Sequence, residues 1–152
     1  MSLEAKVPPP LVALASAAFT WGIPVLAPRM ELAGGVRLAL CLAVVAAALV
    51  FSVGGVVSFR RARTTINPTT PEAASSLVSS GIYRITRNPM YVGLSLLLTA
   101  WAVFLSSVWA LLVLVPFMLY ISRFQIAPEE RALTKLFAAE YALYKASVRR
   151  WL

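Results

Sequence analysis

Residues 89–126 read PMYVGLSLLLTAWAVFLSSVWALLVLVPFMLYISRFQI, with Arg123 as their only charge. A bilayer-spanning helix needs about 20 largely apolar residues, within a range of about 17–25. The stretch holds two such lengths, Pro89–Leu105 and Val108–Ile126, separated only by Ser106-Ser107. That pattern predicts a tight helical hairpin. Toward the N-terminus, Val36–Phe59 is a further apolar run, interrupted only by Gly54-Gly55, and Leu11–Pro28 is another, with Pro24 near its far end. The latter is not expected to be a cleaved signal, because Lys6 alone makes a thin basic region and Pro28-Arg29 follows without a small-x-small site. The expectation is an all-α polytopic membrane protein: one compact domain over 1–152 with four transmembrane helices.

Composition agrees with this reading. Of the 152 residues 60% are apolar, 13% are charged and none is His. A soluble domain carries roughly 25% charged residues. So much apolar surface also excludes disorder. One Cys excludes an intrachain disulfide, and without His the usual zinc and haem sites cannot be built, so no metal is expected. No Ser-His or Cys-His nucleophile pair exists. Chemistry must run on Asn, Tyr, Arg, Glu, backbone groups or a bound cofactor. No ionisable residue lies deep in a span, which weighs against a small transporter.

The net charge of +8 has a topological reading. The loop 60–88 carries Arg60, Arg61, Arg63, Arg84 and Arg87, and the chain from Arg123 onward carries Arg123, Arg131, Lys135, Lys145, Arg149 and Arg150. Eleven of the 14 Lys and Arg residues thus fall in two segments on one side. The positive-inside rule puts both segments and both termini in the cytoplasm. The charge then serves topology and attraction to membrane lipids, and no nucleic-acid partner is expected. Residues 128–148 form a separate object. Leu133, Leu136, Phe137, Tyr141, Tyr144 and Val148 follow helical spacing, with Arg131, Lys135, Lys145 and Arg149 elsewhere on the wheel. This predicts a cytoplasmic amphipathic C-terminal helix, with Pro128 in its first turn and Glu129-Glu130 at the positive end of its dipole.

The unusual polar content gathers in two clusters: Gly81-Ile82-Tyr83-Arg84-Ile85-Thr86-Arg87-Asn88-Pro89-Met90-Tyr91, and Arg123-Phe124-Gln125 running on to Glu129-Glu130, Phe137 and Glu140-Tyr141. Each joins a membrane helix end to cytoplasmic chain. Taken singly, these features have structural readings. Asn88 is a good N-cap with Pro89 at the first helical position. Glu129-Glu130 suit a helix start. Trp101 and Trp109, flanking Ser106-Ser107, read as interfacial belt residues.

Taken together they say more. Gly-Ile-Tyr-Arg-x-x-Arg-Asn-Pro-Met-Tyr-x-Gly, then a hairpin, then Glu-Glu-Arg-x-Leu-x-x-x-Phe-x-x-Glu-Tyr-x-x-Tyr-Lys-x-x-Val-x-Arg-Trp, resembles the isoprenylcysteine carboxyl methyltransferases and the related phospholipid N-methyltransferases, over about Asn67–Trp151. The resemblance implies an integral-membrane enzyme using S-adenosyl-L-methionine, in a bacterial-type inner membrane, acting on a lipophilic small molecule or lipid. It implies cofactor binding by Asn67, by Ser75, Ser76, Leu77 and Val78, by Tyr83, and by Asn88, Pro89, Met90 and Tyr91. It maps a reacting Glu onto Glu130, eleven residues before Tyr141, with Asn88 in the place of a His. Asn88 can exchange hydrogen bonds but cannot titrate near neutral pH. Ala138 stands where the family has Gly, a mild change. Gln125 replaces the Arg that meets the substrate carboxylate in eukaryotic members, and Arg123 is the nearest Arg. These two are the substrate-facing candidates, and the exchange weighs against a prenylcysteine carboxylate as acceptor. An NADPH-dependent sterol-type reductase and a non-catalytic membrane scaffold are the alternatives; the reductases are longer and have more spans.

Overall fold

The computed structural model describes residues 4, 6–23, 30–64 and 75–152. Among these residues all regular structure is helical. Five α-helices follow one another: α1 (Pro9–Thr20), α2 (Gly34–Ala62), α3 (Pro89–Phe104), α4 (Leu114–Ile121) and α5 (Ala127–Ser147). Short 3-10 turns occupy Gly81–Arg84 and Trp109–Val113, and a π-helical segment, Ser122–Ile126, joins α4 to α5.

Two helical lengths are long and apolar enough to cross a membrane: α2, and the continuous path Trp109–Ser147. The other two apolar helices are shorter than the expected spans. At about 1.5 Å per residue, the 12 residues of α1 and the 16 of α3 fall short of a hydrocarbon core of about 30 Å. Within the described residues the run expected at 11–28 is helical to Thr20, turns at Trp21-Gly22 and is helical again at Ile23, and 24–29 lie outside them.

The C-terminal expectation needs a larger correction. Span and amphipathic helix are not separate objects divided at Pro128, because the helical path runs through that proline. An internal Pro lacks an N–H and clashes with the carbonyl four residues back. Here that carbonyl belongs to Phe124, inside the π segment, whose wider turn makes room for the ring. The far end is also different. Val148 is extended, with φ −125° and ψ 137°, and the last residues run back toward the start of α3. Ala138 is the second irregularity. Its φ of +34° breaks the middle of α5, a conformation that costs an alanine about 1–2 kcal/mol. The replacement of Gly by Ala here is therefore not mild.

Close approach of α2 and α3 depends on small residues. A Cβ on Gly55 would come within 2.8 Å of Met90 Cγ, so this glycine lets the start of α3 lie against α2. Gly81 opens its 3-10 turn at φ +63°, a backbone state that suits glycine. At the opposite end of the bundle the Ser106-Ser107 turn is tied down by Arg37, whose Nη1 donates to Ser106 Oγ at 3.2 Å. Trp101 is more than a belt residue: its Nε1 donates to the Ala17 carbonyl at 3.1 Å, and its ring stacks on Trp21. Trp109 is exposed. One apolar cluster, built on Tyr91, Leu98, Phe117, Ile121 and Ile126, joins α1, α3 and α4. A second, built on Val78, Tyr83, Tyr141 and Tyr144, joins the loop before α3 to the second half of α5.

Candidate active site

A cavity of about 490 Å³ lies between these two clusters. The end of α2 gives it Ser52, Val56 and Phe59. The loop gives Ser76, Leu77, Val78 and Tyr83. The start of α3 gives Asn88, Met90, Tyr91 and Leu94, and α5 gives Glu129, Glu130, Leu133, Tyr141 and Tyr144. Both sequence clusters thus meet around one space.

Most of the expected cofactor residues line this cavity: Ser76, Leu77, Val78, Tyr83, Asn88, Met90 and Tyr91. Ser75 and Pro89 do not; the Ser75 backbone N–H instead donates to Thr64 Oγ1 at 2.9 Å. Ser76 Oγ donates to the Ala62 carbonyl at 3.1 Å, so the pair fastens the loop to the end of α2. Asn67 lies outside the described residues.

Asn88 occupies the N-cap position of α3, but its side chain makes no cap bond. Its Nδ2 donates to the Arg150 carbonyl at 2.8 Å, and Thr86 Oγ1 donates to the same oxygen at 3.2 Å. The backbone N–H of Arg87 reaches the Arg149 carbonyl at 2.9 Å. The C-terminal residues are therefore stitched to the Arg-Asn-Pro turn, and Asn88 is one of the stitches as well as part of the cavity wall.

The two adjacent carboxylates have different partners. Glu130 receives Arg87 Nη2 at 3.0 Å on Oε1 and Arg150 Nη2 at 2.6 Å on Oε2, with Arg150 Nε also on Oε1 at 3.1 Å. Its side chain is 12% exposed, and that of Arg87 9%. Arg87 Nη1 further donates to the carbonyls of Lys145 and Val148. Glu130 thus ties three chain segments together, and both its oxygens are engaged. Glu129 has no ion pair among the described residues. It accepts a short hydrogen bond from the Tyr91 hydroxyl. Burial raises its pKa to about 7, with the Tyr91 hydrogen bond working against the rise and the neighbouring Glu130 charge adding to it.

The tyrosines around the cavity stay protonated. Burial pushes Tyr141 up to about 12, and raises Tyr83 and Tyr144 further. Tyr144 donates its hydroxyl to the Tyr83 carbonyl at 2.7 Å. None of these phenols serves as a base near neutral pH. That leaves Glu129 as the cavity group poised to exchange a proton there.

Arg123 and Gln125, the substrate-facing candidates, are not on the cavity wall. They lie in the π segment and hold the N-terminal residues: Arg123 Nη1 pairs with Glu4 at 2.9 Å, and Gln125 Nε2 donates to the Val7 carbonyl at 2.6 Å. What the sequence reading missed is the N-terminal wall, Pro8-Pro9-Pro10, and the roles of Arg87 and Arg150. Arg150 stood inside the quoted Val-x-Arg-Trp motif, which was its one visible signal.

Comparison with known proteins gives a consistent result. The chain is 48% identical over 63 residues to an uncharacterized protein of Haemophilus influenzae, covering 41% of this chain and all of that one. No solved structure matches. The phospholipid methyltransferase family matches residues 36–140, from the start of α2 through most of α5, including every carboxylate and tyrosine of the cavity wall up to Leu133. With more than half of its length matched in this way, the chain belongs to the phospholipid methyltransferase family.

Proposed function

We propose that the protein is an S-adenosyl-L-methionine-dependent methyltransferase whose acceptor is a lipophilic amine or thiol, a lipid amine foremost, reached from the cytoplasmic leaflet. Four spans, as the hydropathy of the sequence leads one to expect, belong to this reading. The carrying observation is Glu129: a carboxylate without a cation partner among the described residues, on the wall of a cavity, with a proton affinity near neutrality.

The residues present suit the cofactor. The cavity volume is within the about 300–1,000 Å³ of small-molecule sites. Four tyrosine rings border it, and electron-rich ring faces suit a sulfonium. The cofactor, when bound, supplies an activated methyl group on a positively charged sulfur. Asn88, Met90 and Tyr91 from one side and Leu77, Val78 and Tyr83 from the other would hold it. Alignment of nucleophile, methyl and sulfur in line is the main task, and positioning of this kind contributes up to roughly 7–11 kcal/mol.

Glu129 settles the proton. The bound cofactor would supply the methyl to the acceptor nitrogen or sulfur and would leave with the bonding electron pair on its own sulfur. The acceptor's proton passes to a Glu129 oxygen. A carboxylate acceptor carries no such proton at neutral pH, and its charge would face the Glu129 charge. Glu130, with both oxygens on arginines, fixes the wall instead.

Calorimetric titration of the purified protein with S-adenosylhomocysteine, beside NADPH, tests this reading. Binding of the former and not the latter is expected. Tyr91→Ala should weaken it about tenfold, or about 1.4 kcal/mol. Binding of NADPH alone would favour a reductase, and binding of neither a scaffold.

A further inference from the structure

Thr86 is fully buried and does not border the cavity, yet it holds a residue that does. Its Oγ1 accepts the backbone N–H of Asn88 at 3.2 Å and donates to the Arg150 carbonyl at 3.2 Å. Asn88 Nδ2 donates to that same carbonyl at 2.8 Å. Thr86, Asn88 and the Arg150 carbonyl thus close a ring of three hydrogen bonds. A carbonyl oxygen only accepts, and both its lone pairs are taken here. The two ends of the Asn88 amide are therefore told apart: nitrogen toward Arg150, oxygen away from it. That oxygen has no hydrogen-bond partner among the described residues. Nor is it one of the unpaired atoms sealed inside the protein, which among those residues are Arg87 Nε and Gln125 Oε1. Asn88 lines the cavity, so its free oxygen opens there.

We propose that Thr86 is a positioning residue of this cavity: together with the Arg150 carbonyl it locks the Asn88 amide so that Oδ1 faces the ligand as an acceptor, and the ligand group met there is an N–H or O–H donor. A free asparagine could turn either end to the cavity. Turned over here, the amide would set its oxygen against the Arg150 carbonyl oxygen and lose a buried bond. Thr86 holds both sides of this arrangement, the backbone of Asn88 and the carbonyl its side chain meets. Arg150 lies beyond the residues matched by the family, and Thr86 fills an unspecified place in the Gly-Ile-Tyr-Arg-x-x-Arg-Asn-Pro run. This role rests on the cavity being the cofactor site proposed above, where the ammonium and ribose hydroxyls of S-adenosyl-L-methionine are donors of the required kind. The geometry of the amide can be tested without any ligand.

The chain has two asparagines, Asn67 and Asn88. Heavy-nitrogen asparagine built into the full chain therefore gives two side-chain amide signals by nuclear magnetic resonance in detergent, and Asn88→Ala identifies the one from Asn88. In the parent, exchange of the Asn88 Nδ2 protons with water should be slow. Thr86→Val should speed it several-fold, and Thr86→Ser, which keeps the hydroxyl, should restore the parent rate. Thr86→Ala gives the same comparison as Thr86→Val without the valine's shape. Affinity for S-adenosylhomocysteine, read by calorimetry, should fall several-fold in Thr86→Val and recover in Thr86→Ser. In an Asn88→Ala background, Thr86→Val should change that affinity little, because its effect runs through the amide; a merely structural role would give losses that add. Unchanged exchange in Thr86→Val and Thr86→Ala, or additive losses of affinity, would overturn the proposal. A parent that binds no S-adenosylhomocysteine would count against the methyltransferase reading alone, and the exchange rates would still decide the role of Thr86.

Discussion

Glu129 and Glu130 are chain neighbours, about 100° apart on one helix turn, and that angle separates their tasks. Glu130 points to Arg87 and Arg150, and Glu129 to the Tyr91 hydroxyl. Two substitutions therefore give different signatures. Glu130→Gln strips the charge partner from the buried Arg87, and a broken buried pair costs about 3–5 kcal/mol. Its expected readout is a lowered thermal midpoint of the purified protein. Glu129→Gln should leave that midpoint nearly unchanged and lower turnover by about 10²–10⁴-fold, the usual range for a lost proton acceptor. The sign of the pH dependence follows from the raised pKa. Below about 7 Glu129 is protonated and cannot take the acceptor's proton, and above it the carboxylate is available. Turnover should rise through that region and flatten above it, and the step should vanish in Glu129→Gln. A step that survives this substitution would assign the titration to another group. Sequence spacing identifies the Glu-Glu pair but not which member meets the arginines and which the Tyr91 hydroxyl, because that depends on the rotation of α5 after the π segment. Likewise the side chain of Asn88 reads as a cap, whereas the carbonyl it meets belongs to Arg150, 62 residues away.

At the scale of elements, hydropathy locates α2 and α3 to within a few residues, because long uninterrupted apolar runs leave little choice, whereas the run at 108–126 divides into a 3-10 turn, α4 and the π segment. What it does not reveal are the places where the backbone departs from an α-helix. Pro128 reads as a helix start and is instead accommodated within a continuous helix by the π turn before it. Ala138 reads as a strong helix former and sits at positive φ. That break sets the direction of the second half of α5, which carries Tyr141 and Tyr144 onto Val78 and Tyr83. The constraint makes a stability prediction whose sign is decided by two magnitudes. Relief of the left-handed alanine is worth about 1–2 kcal/mol, and the added freedom of glycine in the unfolded chain costs about 0.5–1 kcal/mol. Ala138→Gly should therefore stabilise by about 0.5–1 kcal/mol, seen as a higher thermal midpoint in detergent. Ala138→Val, with a β-branched side chain in the same backbone state, should lower it. A fall with Gly would mean that the kink is not needed.

For the whole molecule, the site is built where the chain's ends and middle converge. The C-terminal residues close on the Arg87-Asn88 turn, the N-terminal prolines close the opposite wall, and the phospholipid methyltransferase match supplies the part between. These long-range closures are invisible to periodicity, which sees only neighbours along a helix. On the proposed topology, with the basic segments inside, the convergence faces the cytoplasm. A Cys at Lys145, in the Cys41→Ala background, should react with a membrane-impermeant thiol reagent only after cells are opened; labelling of intact cells would put the site on the other face. The account's central claim is methyl transfer to a lipophilic acceptor at this cavity. The direct measurement is transfer of labelled methyl from S-adenosyl-L-methionine into solvent-extracted lipid by the purified protein in vesicles containing lipid amines. The account predicts label in the lipid fraction, more of it at pH 8 than at pH 6 by roughly tenfold, and close to none with Glu129→Gln. Label that stays in the aqueous phase, or a Glu129→Gln protein that labels lipid as fast as the parent, would contradict it.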